Sequence, residues 1–125
     1  MPSILVIEDD ATLRGVLRMH LGAVGYKVRV SADATEAIQM IFADLPDLIL
    51  SDVNMPYLDG LELLQALKGD ELTKKVPVVL LTGRNDDETY IRATQLGAAG
   101  YVIKPVKLDE LLSAIKRALP AAPKN

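Results

Sequence analysis

The chain lacks cysteine and tryptophan, and its 125 residues include one histidine, His20. The absence of cysteine excludes a disulfide framework, a thiolate metal site and a cysteine nucleophile. Its apolar runs are only a few residues long, far below the roughly 20 that span a bilayer. The N-terminus has no basic segment followed by an apolar core, so no secretory signal is expected. We therefore expect a soluble, cytoplasmic protein that does not bind membranes.

A surplus of positive charge is also missing, since the net charge is −3. This balance argues against a domain whose affinity comes from nucleic-acid phosphates, so no direct nucleic-acid binding is expected. The length suits one domain of about 100–200 residues. We assign residues 1–120 to this domain. Residues 121–125, within a proline-containing end that stops the last helix, form a C-terminal tail or the start of a linker.

Short apolar runs alternate with longer segments of helical period, which is typical of a parallel α/β sheet. Four runs are nearly all apolar, as expected of strands covered on both faces. The second run alternates apolar and polar residues, which predicts a strand at the sheet edge. The five predicted strands are Ile4–Ile7, Lys27–Val30, Leu48–Leu50, Val76–Leu81 and Tyr101–Ile103.

Five helices are predicted between and after these strands, because apolar residues recur on one stripe of each. The first stripe contains Leu13, Val16, Leu17, His20, Leu21 and Val24, and the second contains Ala34, Ala37, Ile38, Ile41 and Phe42. The third is marked by Leu61, Leu64 and Leu67, and the last by Leu108, Leu111, Leu112, Ile115 and Leu119. The fourth is weaker and is supported by Asn85 as a cap with acids in its first turn. Gly25 and Gly97 suit helix ends, and Asp59-Gly60 is a turn signal.

Chemically active side chains follow four of the predicted strands. They are Glu8-Asp9-Asp10, Ser51-Asp52, Thr82-Gly83 and Lys104-Pro105. Ligands of an open parallel sheet bind beyond the carboxyl ends of its strands, so these groups should meet at one edge. Clustered carboxylates repel one another without a compensating cation, and oxygen ligands suit Mg²⁺. Carboxylates, a lysine and a hydroxyl together predict a site for a phosphoryl group.

Each group also has a structural interpretation. Thr82 taken alone is best interpreted as a helix cap, and Asp10 suits the positive end of the first helix dipole. Lys104 taken alone is best interpreted as an exposed loop lysine. Asp52 is harder to explain in this way, because it directly follows a buried run and precedes a poor helix start. The conjunction at four strand ends favours a functional site.

In four motifs the sequence resembles the receiver domain of response regulators, the phosphoacceptor proteins of two-component signalling. The resemblance covers residues 3–119. The motifs are Ile4-Leu-Val-Ile-Glu-Asp-Asp10, Leu50-Ser-Asp-Val-Asn-Met-Pro56 followed by Asp59-Gly60, Leu80-Leu-Thr-Gly83, and Tyr101-Val-Ile-Lys-Pro105. Their order and separation are specific to this family. The resemblance implies a doubly wound (βα)5 domain, with a parallel sheet in the flavodoxin-like order 2-1-3-4-5 and helices on both faces.

The resemblance also implies a phosphoacceptor and a magnesium site. Asp52 corresponds to the carboxylate that accepts the phosphoryl group. Glu8 and Asp9 map onto the family's acidic pair, which leaves the common basic residue of the first helix at Arg14; Asp9-Asp10 is the rival register. Asp52 and the backbone carbonyl of Asn54 complete the implied Mg²⁺ ligands.

The remaining site residues implied by the resemblance bind the phosphoryl group or change conformation when it is present. Thr82 corresponds to the switch hydroxyl, Lys104 to the ammonium that binds the transferred oxygens, and Tyr101 to the switch aromatic. Pro105 usually follows a cis peptide in this family. Two features distinguish this chain: Gly83 replaces the usual alanine, and Arg84, like Asn54, occupies a position that tunes the lifetime of the phosphoryl group.

The implied activity is that of a signalling switch, which catalyses its own phosphorylation and dephosphorylation without being an enzyme for another substrate. A sensor histidine kinase or a phosphotransfer protein would donate the phosphoryl group. The face formed by the fourth helix, fifth strand and fifth helix would then bind an unknown downstream protein or a second copy. Three alternatives are an aspartate-nucleophile phosphatase, a nucleotide or flavin module, and a receiver-like scaffold that is not phosphorylated. Asn54 cannot supply the acid/base carboxylate of the phosphatase, and no glycine-rich phosphate loop is present.

Overall fold

Five strands and five helices alternate along the chain in the computed structural model, which describes residues 2–55, 58–83 and 87–119. The strands are β1 (Ser3–Ile7), β2 (Lys27–Ser31), β3 (Leu48–Asp52), β4 (Val78–Thr82) and β5 (Gly100–Ile103). The helices are α1 (Ala11–Ala23), α2 (Ala34–Ala43), α3 (Gly60–Lys68), α4 (Asp87–Gln95) and α5 (Leu108–Ala118). None of these helices has the length and apolar character that crossing a membrane requires.

The strands form one parallel sheet in the order β2-β1-β3-β4-β5, so the predicted fold class and the edge position of β2 are confirmed. The register aligns the carboxyl ends of neighbouring strands. Ile7 at the end of β1 pairs with Ser31 on one side and Ser51 on the other. Thr82 at the end of β4 pairs with Ile103. Residues that follow the strands therefore meet at one edge of the sheet.

Two hydrophobic cores cover the two faces of the sheet, because successive side chains of a strand point to opposite faces. Leu5 and Ile7 of β1 pack with buried residues of α2 and α3 and with Ala93 of α4. Ile4 and Val6 pack with buried residues of α1 and α5. The central strands thus have apolar contacts on both sides, which explains their nearly unbroken apolar sequence.

The buried faces of the helices are narrower than the predicted stripes. Val16, Val24 and Phe42 belong to those stripes but have exposed fractions of 41%, 49% and 48%. Val16 lies within α1, Val24 follows the last residue of α1, and Phe42 lies in the last turn of α2. Strand β4 likewise begins at Val78 instead of the predicted Val76. Proline at position 77 has no N–H to donate to a strand ladder.

Aspartates begin three of the helices. The side chains of Asp10, Asp33 and Asp59 accept backbone N–H groups at the starts of α1, α2 and α3. The Asp59-Gly60 pair is therefore the start of a helix with a capping box to Glu62, whereas the sequence indicated only a turn. Gly25 and Gly97 have positive φ values of 105° and 89°, as expected of residues that follow helix ends. The predicted cap Asn85 lies outside the described residues.

Candidate functional site

Three carboxylates converge where β1 and β3 end. Glu8, Asp9 and Asp52 each offer an oxygen atom, and these oxygen atoms lie within 4.8 Å of one another. Glu8 is fully buried and Asp52 is 4% exposed, whereas Asp9 is exposed. The cluster therefore has two acids inside the protein and one at the solvent boundary.

The backbone of Glu8 is held from two sides. Its N–H donates to the carbonyl oxygen of Ser31, at the end of β2, at 3.0 Å. Its own carbonyl oxygen accepts a hydrogen bond from the guanidinium of Arg14 at 2.9 Å. Arg14 lies one turn into α1, so the helix that follows the acidic segment also fixes that segment against the sheet.

Asp52 is the last residue of β3, and hydrogen bonds hold the chain on both sides of it. The N–H of Val53 donates to the carbonyl oxygen of Leu81 in the neighbouring strand at 2.8 Å. The carbonyl oxygen of Asp52 accepts from the hydroxyl of Ser51 at 3.0 Å. One carboxylate oxygen, Oδ1, lies 3.3 Å from the N–H of Asn54. The carboxylate thus sits on a backbone segment that the sheet orients.

Lys104 brings one positive charge into the cluster. Its Nζ atom lies 2.8 Å from Oε1 of Glu8 and 3.3 Å from Oδ2 of Asp52. The backbone of Lys104 is anchored by its N–H, which donates to the carbonyl oxygen of Thr82 at 2.7 Å. The following peptide bond to Pro105 is cis, as the resemblance implied.

Burial and charge change the proton affinities of the ion pair. Burial raises the pKa of Glu8 to about 7, although Lys104 opposes this change. Burial lowers the pKa of Lys104, but the hydrogen bond and the charge of Glu8, together with the charge of Asp52, outweigh burial and leave that pKa above its ordinary value. The lysine therefore stays charged, while Glu8 is close to its titration point at neutral pH.

The donor set of the pocket fits a magnesium ion. Three carboxylates face one ammonium group, which leaves uncompensated negative charge when all of them are ionised. Oε1 of Glu8 is buried and is paired with the ammonium group of Lys104. Mg²⁺ prefers carboxylate and carbonyl oxygen ligands and retains several waters. The exposed position of Asp9 leaves access for such an ion.

Asp10 does not join this cluster. Its Oδ1 accepts the N–H groups of Thr12 and Leu13 at 2.9 and 3.1 Å, as an N-cap of α1. A carboxylate that satisfies two helix donors is engaged in helix capping. Of the two sequence registers, this arrangement favours Glu8 and Asp9 as the acidic pair.

The family model of the response regulator receiver domain matches residues 4–116. The chain belongs to this family. Receiver domains of this kind are components of two-component systems, and the resemblance noted in the sequence is confirmed.

Curated relatives and solved structures agree with this assignment. The receiver is 37% identical over 120 residues to the transcriptional regulatory protein AfsQ1 of Streptomyces coelicolor, covering 94% of this chain and 52% of AfsQ1. It is 40% identical over 118 residues to the response regulator MprA of Mycobacterium ulcerans, covering 93% of this chain and 49% of MprA. The chain thus spans about half the length of these relatives. The chemotaxis protein CheY4 of Vibrio cholerae has a TM-score of 0.90 and 31% identity, with 95% of this chain and 99% of CheY4 covered.

Thr82 and Tyr101 lie on the neighbouring strands β4 and β5, where Thr82 pairs with Ile103 and Tyr101 pairs with Leu80. Thr82 is fully buried at the end of β4, next to the strand that carries Asp52. Tyr101 is half-buried and packs against the core that contains α2 and α3. The ring of Tyr90 in α4 meets that of Tyr101 edge to face, with centroids 5.4 Å apart and an interplanar angle of 89°. The sequence analysis missed Tyr90, and no local pattern connects it with a tyrosine on another element.

Other predicted residues of the receiver lie around the pocket or outside the described residues. Asn54 is exposed beside the cluster and follows Asp52 by two residues. Arg84 lies outside the described residues. Ser31, the last residue of β2, was not predicted to join the site, but its carbonyl oxygen accepts the N–H of Glu8. That backbone role has no signature in the side chain.

His20 lies away from the acidic pocket. It is half-buried and lines a cavity of about 110 Å³ between α1 and the segment that leads into α5. The other lining residues are apolar: Leu13, Val16, Leu17, Val106, Leu108 and Leu111. This position matches the interpretation of His20 as a packed residue of the α1 stripe.

Proposed function

We propose that this receiver accepts a phosphoryl group on Asp52 from a phosphohistidine of a sensor kinase or a phosphotransfer protein. The observation that carries the proposal is the position of the Asp52 carboxylate, with Lys104 at 3.3 Å and with oxygens of Glu8 and Asp9 within 4.8 Å. A carboxylate in such surroundings can act as a nucleophile toward phosphorus.

In this proposal an oxygen of Asp52 forms a bond to phosphorus while the bond between phosphorus and the donor imidazole nitrogen breaks. The imidazole leaves with the bonding electron pair, and an aspartyl phosphate remains. The ammonium group of Lys104 lies close to both buried acids and would bind the incoming phosphoryl oxygens. Thr82 supplies a hydroxyl group at the end of the adjacent strand. Both groups act by binding and orienting the phosphoryl group.

The carboxylates of Glu8, Asp9 and Asp52 and the backbone carbonyl of Asn54 would hold Mg²⁺. When bound, the ion would offset the negative charge of Asp52 and the phosphoryl group as they approach each other. Glu8, with its raised pKa, would be held ionised by Lys104 and the metal together.

The proposed signal leaves the pocket through Thr82 and Tyr101. Attraction of the Thr82 hydroxyl to the phosphoryl group would open space into which the Tyr101 ring turns. The surface formed by α4, β5 and α5 would then change its affinity for a downstream protein or for a second copy of the chain. Phosphorylation shifts this equilibrium only as far as it stabilises one state more than the other. We further propose that the protein acts in the cytoplasm, where a kinase has its source of phosphoryl groups.

Incubation with a small acyl phosphate and Mg²⁺, followed by intact-mass measurement, tests the proposal. We expect a gain of one phosphoryl group, which a chelator prevents and which decays by hydrolysis after the donor is removed. Asp52→Asn should take up none, whereas Glu71→Gln, a change in an exposed surface ion pair, should behave like the wild type. Phosphoryl uptake by Asp52→Asn would contradict the assignment. Turnover of a phosphomonoester would instead favour a phosphatase.

A further inference from the structure

Helix α3 makes a close backbone contact with the strand that carries the proposed phosphoacceptor. Gly60 is the first residue of α3 and is buried. Its N–H donates to the carbonyl oxygen of Val53 at 2.8 Å. The helix thus begins directly against Val53, the residue that follows the end of β3 at Asp52.

No side chain fits at position 60. A Cβ atom there would overlap the carbonyl oxygen of Asp52 and would lie 2.9 Å from the Cα atom of Val53 and 3.1 Å from the carbonyl carbon of Asp52. All three are backbone atoms, so no rotamer change can relieve the contact. At Gly22 in α1, by comparison, a Cβ atom would meet nothing within 4 Å.

Neither the Asp52–Val53 segment nor helix α3 can move away from this contact without changing the geometry of the site. The Asp52–Val53 segment is held by the hydroxyl of Ser51 and by the carbonyl oxygen of Leu81. Helix α3 is held by the capping box between Asp59 and Glu62 and by buried leucines of its inner face. A group inserted between them has to displace the backbone that leads from Asp52 to Asn54.

We propose that Gly60 is a positioning residue for the metal-binding segment at residues 52–54, an inference that rests on the function proposed above. The bare backbone at position 60 lets the first turn of α3 press on the Asp52–Val53 peptide. That contact fixes the direction of the Asp52 carboxylate and of the Asn54 carbonyl relative to Glu8 and Asp9. Gly60 touches neither the metal nor the phosphoryl group and acts through the backbone of Asp52.

The test compares Gly60→Ala with Gly22→Ala, which adds the same methyl group in open space. The amide signals of Val53 and Asn54 are followed by NMR during titration with MgCl2, and phosphorylation by a small acyl phosphate is timed at several Mg²⁺ concentrations. We expect the Kd for Mg²⁺ to rise about tenfold in Gly60→Ala and to change by less than about twofold in Gly22→Ala, since outer contacts that orient ligands typically control affinity to this extent. Phosphorylation of Gly60→Ala should slow most at low Mg²⁺.

A loss of stability alone would not move the Mg²⁺ affinity of the folded protein. Ile41→Val removes a methylene-sized group from the core beside α2 and serves as the destabilised control, with all titrations run where circular dichroism shows the folded state. If Gly60→Ala does not fold, Asp59→Ala replaces it. That variant keeps the glycine but releases the first turn of α3, and we expect a Kd increase of about threefold.

The outcomes separate the inference from the proposed function. An unchanged Mg²⁺ affinity in folded Gly60→Ala, or a Kd increase of the same size in Ile41→Val, would overturn the positioning role. The wild type could bind Mg²⁺, and Gly60→Ala could weaken that binding as expected, while the wild type takes no phosphoryl group on Asp52. This combination would support the positioning role and contradict the proposed function. A wild type whose Val53 and Asn54 signals do not respond to Mg²⁺ would overturn both.

Discussion

The ammonium group of Lys104 lies closer to Glu8 than to Asp52, at 2.8 Å against 3.3 Å. One half-buried cation is thus shared between Glu8, which is assigned to the metal, and Asp52, which is assigned to both the metal and the phosphoryl group. A phosphoryl group on Asp52 would add negative charge next to the same cation. The balance among these charges determines several measurable properties of the receiver.

Replacing Lys104 by methionine should slow phosphorylation by a small acyl phosphate about 100-fold, because one preorganised donor to the transferred oxygens is lost. The rate is measured by intact mass against time at saturating Mg²⁺. Lys107→Met, a change at the exposed residue that precedes α5, should retain the wild-type rate. A wild-type rate in Lys104→Met would remove Lys104 from the proposed mechanism.

The metal-free protein should lose stability relative to Glu8→Gln as the pH rises. The pKa of Glu8 is about 7 in the folded chain, against an ordinary value of 4.5, so between these values the folded state holds more protons than the unfolded state. Raising the pH through this range therefore lowers the free energy of unfolding. The upper limit is about 3 kcal/mol, since one pKa unit corresponds to about 1.4 kcal/mol.

The measurement is urea unfolding of both proteins with a chelator at pH values from about 5 to 8. Glu8→Gln has no titrating group at position 8. The contributions of the other titrating groups therefore cancel in the difference between the unfolding free energies of the two proteins. A difference between the two proteins that does not depend on pH would show that Glu8 titrates at its ordinary value.

Mg²⁺ should raise the thermal stability of the wild type, because it binds the folded state alone. At a concentration 100 times Kd the gain is about 2.7 kcal/mol. Asp9→Asn should weaken Mg²⁺ binding at least about tenfold. Asp10→Asn should leave it unchanged, since asparagine also caps a helix. A similar loss of Mg²⁺ affinity in Asp10→Asn would instead favour Asp9-Asp10 as the acidic pair.

The edge-to-face contact between Tyr90 and Tyr101 should couple their effects on stability. In a double-mutant cycle with leucine at both positions, we expect a coupling energy of about 0.5–1.5 kcal/mol, as is typical of aromatic pairs. The cycle is measured by chemical denaturation of the unphosphorylated protein. Strictly additive losses would show that the two rings are neighbours without a stabilising interaction.

The sequence predicts the sheet well and the helix surfaces less well. Continuous apolar runs such as Leu48–Leu50 favour strands of a parallel sheet, and the polar alternation of β2 agrees with its place at the edge. The width of a helix contact, by contrast, depends on the partner surface. The exposure of Phe42 therefore has no counterpart in its own periodicity.

The sequence predicts part of the candidate site, and the rest depends on contacts between distant residues. Acids after β1 and β3 must meet because parallel strand ends align, so the convergence of Glu8 with Asp52 was predictable. Contacts between residues distant in sequence were not. The steric contact of Gly60 with Asp52 and the ring contact of Tyr90 with Tyr101 depend on distances that only the folded chain defines.

The aligned register of the strand ends has a consequence for how such a domain can diversify. Ile7, Asp52 and Thr82 end adjacent paired strands, so the spacing of the reactive groups follows from the backbone ladder. The outer surfaces of α1, α4 and α5 contribute nothing to that spacing. Substitutions on those surfaces, by evolution or by design, can therefore change which partner the domain binds. The arrangement of the reactive groups at the sheet edge stays the same.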